Sequence, residues 1–103
     1  MPGFLGMPGV TRLVADNASI GTAGMPIRVY DVTSISDAVG ASIIYLRNGT
    51  ADTDVIEIQL DTAAASKCKT WTSPCGILFP NGCYADVDGG NSAFVTISWC
   101  SEL

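Results

Sequence analysis

The feature that most constrains this chain is its punctuation. Short runs of β-branched and apolar residues are interrupted by turn residues about every ten positions, the grammar of an all-β domain. Helix signals are poor, and the only Ala-rich stretch, residues 62–66, is too short to hold a helix alone. Strands are predicted over residues 11–15, 27–34, 41–47, 55–61, 69–72, 76–79, 83–88 and 93–100. In 55–61, Ile56, Ile58 and Leu60 fall on one face and Glu57, Gln59 and Asp61 on the other. In the last strand Val95, Ile97 and Trp99 are expected inward, with Thr96 and Ser98 outward. Asn48-Gly49 and Asn81-Gly82 supply the positive-φ positions of tight turns, and Asp88-Gly89-Gly90-Asn91 is expected to close a final hairpin. Eight short strands in 103 residues fit one small β-sandwich or jelly-roll-like domain.

Composition narrows the chemistry. The chain has no histidine, which removes Ser-His-Asp and Cys-His catalysis and imidazole metal sites. Ten acidic residues against five basic ones give a net charge of −5, which disfavours nucleic acid as a partner. No apolar run is long enough to span a membrane. Ser and Thr are abundant, but none has an evident base. Asp52 and Asp54, and the run Asp86-Val87-Asp88-Gly89-Gly90-Asn91, place oxygen ligands near turns but lack the pattern of a calcium loop. The expectation is a protein that is not an enzyme, with no cofactor and no metal site.

The first nine residues, MPGFLGMPG, carry no charged side chain, and their prolines and glycines break any signal-peptide core. They are expected to form an extended N-terminal arm, residues 1–9, ahead of a β-sandwich domain, residues 10–103. The arm docks on a neighbouring subunit or partner through Met1, Pro2, Phe4, Leu5, Met7 and Pro8, or else packs on its own domain. Trp71, between threonines and near Lys67 and Lys69, is the candidate surface anchor, with a core-edge position as its alternative. Trp99 and Phe79 are expected in the core. Cys68, Cys75, Cys83 and Cys100 lack the close spacing of a structural zinc site. Four cysteines allow three pairings; a Cys68–Cys75 bridge would close a small loop, while buried free thiols remain the other reading.

Two motifs carry a family resemblance. The segment Ile43-Ile44-Tyr45-Leu46-Arg47-Asn48-Gly49-Thr50, followed by Leu78-Phe79-Pro80-Asn81-Gly82-Cys83-Tyr84-Ala85-Asp86-Val87-Asp88, resembles small all-β proteins encoded in structural regions of tailed-bacteriophage genomes. The resemblance runs from about Ile27 to Trp99 and excludes the arm and the Cys68/Cys75 segment. It implies a virion component, most specifically a capsid decoration (cement) protein. Such a protein binds the major capsid protein, forms a homo-oligomer (a trimer by preference), and sits on the capsid surface after assembly in the host cytoplasm. The alternative is a receptor- or glycan-binding module of a tail or head fibre. No catalytic residue is carried over, and a reducing cytoplasm favours free thiols at first.

Overall fold

The computed structural model describes residues 8–13, 17–87 and 91–101, the side chains at 8, 12 and 13 excepted. These residues form eight strands and no helix: β1 (Pro8–Leu13), β2 (Ala18–Ile20), β3 (Ile27–Ser36), β4 (Ile43–Asn48), β5 (Val55–Asp61), β6 (Cys68–Phe79), β7 (Cys83–Asp86) and β8 (Ser92–Ser101). Two four-stranded sheets result, in the orders β1-β8-β3-β6 and β2-β7-β4-β5. Every ladder is antiparallel.

Strand alternation decides what goes inside. In β3, Ile27 and Val29 point inward, and a bulge at Tyr30 resets the phase so that Val32, Ser34 and Ser36 are the next buried residues. In β4, Ile44 and Leu46 are buried, while Tyr45 and Arg47 face out. In β8, Val95 and Ile97 are fully buried and Trp99 packs against the same core, as its alternation predicts. Side chains from both sheets join one apolar cluster: Ile27, Val29, Val32, Phe79, Val95 and Ile97 from the first, with Ile20, Ile44, Leu46, Ile58, Leu60 and Ala85 from the second. Burying each such Val, Ile, Leu or Phe contributes about 1.5–3 kcal/mol.

Several sequence expectations are corrected. The segments 69–72 and 76–79 are one strand, β6, and the short β2 takes the eighth place. The break expected at residues 73–75 is a bulge: Thr72 opposes Asp31 and Ile77 opposes Val29, leaving four residues of β6 beside Tyr30. Because β6 is an edge strand, Pro74 interrupts no central ladder. Ile56 does not share a face with Ile58 and Leu60. A bulge at Glu57 sets Leu46 opposite Ile58 but Arg47 opposite Ile56, which turns Ile56 outward and leaves it 41% exposed. The expected final hairpin is absent, since β7 pairs with β2 and β4 whereas β8 pairs with β1 and β3. The chain changes sheets between them. Asn48-Gly49 opens a longer loop rather than a two-residue turn, because β5 begins only at Val55.

Candidate functional site

The two motifs that carry the resemblance meet in space. Their strands, β4 and β7, are hydrogen-bonded neighbours, with Arg47 opposite Tyr84 and Asn48 opposite Cys83. Arg47 donates to Asp86 Oδ2 from Nε at 3.2 Å and from Nη2 at 3.0 Å. Both side chains are largely buried, at 15% and 6% exposure. The third arm of the guanidinium donates to the Asp54 carbonyl at 2.9 Å, and its Cζ lies over the Tyr45 ring, 5.1 Å from the ring centre. Asp54 then organises the β4–β5 loop, its Oδ2 accepting from the backbone N–H of Thr50 at 2.9 Å and of Ala51 at 3.0 Å. Asp54 thus holds the β4–β5 loop, and Asp86 ties β7 to Arg47 of β4.

The neighbouring loops are tied to this unit. Gly49 N–H donates to the Gly82 carbonyl at 2.9 Å, and Asn81 N–H to Asn48 Oδ1 at 3.0 Å. The β2–β3 loop closes over the turn so tightly that a Cβ on Gly82 would sit 2.8 Å from Gly24 N. The loops β2–β3, β4–β5 and β6–β7 thus form one rigid end of the molecule. The exposed apolar residues Met25, Val55, Ile56 and Leu78 lie at or beside it.

An open apolar groove of about 550 Å³ continues this end onto the outer side of the first sheet, lined by Gly9, Val10, Tyr30, Ser98, Trp99 and Cys100. Its floor depends on glycine. Gly9 opposes Trp99, and a Cβ there would fall 2.5 Å from the indole. Gly21 closes on the same ring, and the indole N–H donates to Thr11 Oγ1 at 2.9 Å. Val10, between Gly9 and Thr11, turns outward and is 70% exposed.

Of the residues singled out from sequence, Met1, Pro2, Phe4, Leu5 and Met7 lie outside the described residues. Pro8 and Gly9 belong to β1, opposite Cys100 and Trp99. Trp71 is half-buried and packs against the core, since β6 turns it inward opposite Val32. It takes the core-edge position, not that of a surface anchor. Cys68 and Cys75 are not brought together. Both are free and exposed on β6, and four extended residues, about 13 Å at 3.3 Å each, separate Cys68 from the bulge that holds Cys75. A disulfide needs Cα atoms within about 7 Å. Cys83 and Cys100 are also free and lie in different sheets. Sequence reasoning missed Val10 and the Arg47–Asp86 pair, although each residue of the pair stood in one of the two recognised motifs.

The thiols differ in a measurable way. Burial pushes the Cys83 thiol from its ordinary 9.0 up to about 12. Under native conditions at pH 8, alkylation followed by mass spectrometry should label Cys68 and Cys75 readily and Cys83 only after unfolding. Equal labelling of Cys83 would contradict its burial. The raised value also has a sign for stability. The folded state keeps the proton, so this contribution is complete below pH 9 and is lost as pH rises from about 9 to about 12.

Set beside known proteins, the chain matches no family model, no curated protein and no solved structure.

Proposed function

We propose that this chain is a structural protein of a phage virion, a capsid decoration protein that binds the major capsid protein and stabilises the head without chemistry of its own. The observation that carries this reading is the single rigid end at which Met25, Val55, Ile56 and Leu78 are exposed. The chain preceding β1 enters at that same end, because Pro8 opposes Cys100 and Cys100 opposes Arg28, in register with Leu78. Exposed apolar side chains near one end of a domain, here on both sheets, favour a protein contact at that end.

The connectivity supports the reading. Strands pair as β1–β8, β2–β7, β3–β6 and β4–β5, the pattern of an eight-stranded chain doubled back at the β4–β5 hairpin and rolled into two facing sheets. We read this as a jelly-roll sandwich, an architecture frequent in viral capsid and lectin domains. The resemblance of the 43–50 and 78–88 motifs to phage structural proteins gains weight from their forming one unit. The fibre or glycan-binding alternative loses its best contact residue, since Trp71 is packed against the core.

Copy number tests the reading. Quantitative mass spectrometry of gradient-purified particles made from the encoding genome should find hundreds of copies per particle. A handful would indicate a fibre or tail component, and absence from particles would end the virion reading. Removing residues 1–7, which leaves β1 whole, should weaken capsid binding without lowering the unfolding temperature.

A further inference from the structure

We infer that β1 is a strand-pairing edge and that its partner is β1 of a second copy of this chain, joined antiparallel about a twofold axis. Among the described residues the two sheets have four edges, β1, β6, β2 and β5. Three of them are defended against pairing. β6 carries the Ser73–Gly76 bulge with Pro74 inside it, and Lys69 on its core-facing side opposite Ser34. β5 is broken by the bulge at Glu57 and bears a second carboxylate at Asp61, so two copies would repel there. β2 is three residues long. β1 has none of these devices. Its six residues run one-for-one against β8 from Pro8–Cys100 to Leu13–Val95 without a bulge. It has no carboxylate, and its only proline is at its first position.

The geometry of a closed pair selects the register. A twofold axis normal to the sheet keeps each copy's outer face on the same side, so residues of equal parity must oppose one another. Centred on Val10, the pairing sets Val10 against Val10 of the second copy and covers two side chains that are each 70% exposed in the monomer. Gly9 then opposes Thr11, and Pro8 opposes Arg12. The two arginines fall at opposite ends of the ladder, away from each other. No acidic residue meets another, which matters for a chain of net charge −5. The grooves beside Val10 become continuous across the axis. The contact is twofold, in place of the threefold one that the resemblance implies, and it holds whether or not the chain belongs to a virion.

Sedimentation equilibrium of the full chain tests it, with Val10→Lys as the probe. Val10 is exposed, so the variant should keep the wild-type circular dichroism and unfolding temperature. Two like charges directly opposite should raise the dimer dissociation constant roughly tenfold or more. Val39→Lys, at an 81% exposed position away from β1, should leave the dimer unchanged. A second readout does not depend on affinity. In a Cys68→Ser/Cys75→Ser/Cys100→Ser background, which removes the thiol that shares the groove with position 10, Val10→Cys should oxidise to a covalent dimer and Val39→Cys should not. A wild-type chain that is monomeric or trimeric, a dimer indifferent to Val10→Lys, or equal crosslinking at positions 10 and 39 would each overturn the inference.

Discussion

Arg47→Ala should cost about 3–5 kcal/mol of folding stability, the usual penalty for leaving one member of a buried ion pair behind. Asp86 is 6% exposed and takes two bonds from the Arg47 guanidinium, so its carboxylate would lose that charge where water has little access. The reverse change should cost less. Asp86→Ala leaves Arg47 at 15% exposure with the Asp54 carbonyl and the Tyr45 ring still in place. Arg47→Lys should not rescue, since one ammonium cannot reach Asp86 Oδ2 and the Asp54 carbonyl in the geometry of a planar fork. The loss should also spread. Without the bond to Asp54, hydrogen exchange at the Thr50 and Ala51 amides should quicken. Urea unfolding of the two alanine variants and their double mutant gives the coupling directly. A cost below about 1 kcal/mol for Arg47→Ala would mean that the pair behaves as a screened surface bridge.

Gly82→Ala should cost about 2–4 kcal/mol, the sum of a left-handed backbone and a collision. Gly82 has φ of +96°, and its Cβ would meet Gly24 N at 2.8 Å and Gly24 Cα at 3.0 Å. Those are backbone atoms and cannot swing aside. Gly24→Ala is the control, with φ of +80° but no atom nearer than Thr50 Cγ2 at 3.8 Å. It should cost only the conformational share, about 1–2 kcal/mol. Equal losses in thermal unfolding would mean that the approach of the two loops contributes nothing. Gly82→Ala should also loosen the Gly49 amide, which donates to the Gly82 carbonyl.

These two sites show what could be read from the chain and what could not. Local alternation was legible: it placed Val95 and Ile97 in the core and Trp99 against it, and Asn81-Gly82 in a turn. Alternation fails wherever a bulge inserts a residue, and nothing in the sequence marked Glu57 as extra, so Ile56 was assigned to the wrong face. The break expected at residues 73–75 is a bulge within β6, because a proline looks alike in a loop and on a sheet edge. The assignment of β7 and β8 to different sheets is a long-range choice that neighbouring residues do not encode. Arg47 and Asp86 stand 39 positions apart, and Asn17, whose Oδ1 accepts from Val87 N–H, stands 70 positions from its partner. The candidate surface was half visible: composition pointed to the apolar residues 1–9, but the exposure of Val10 follows from its outward register opposite Ser98 on an edge strand.

The pairing pattern has a consequence for how the chain reaches this state. Of the six ladders among the described residues, only β4–β5 joins strands consecutive in sequence. Every other ladder must close a longer stretch of chain, and that entropy is spent before the contacts reward it. Forming the central hairpin first shortens the loop for β3–β6, and the outermost ladder, β1–β8, has the longest stretch to close. A chain of this topology belongs with the slow folders, on a timescale of roughly milliseconds to seconds. Its N-terminal strand is the one with most to gain from a neighbour that is already in place.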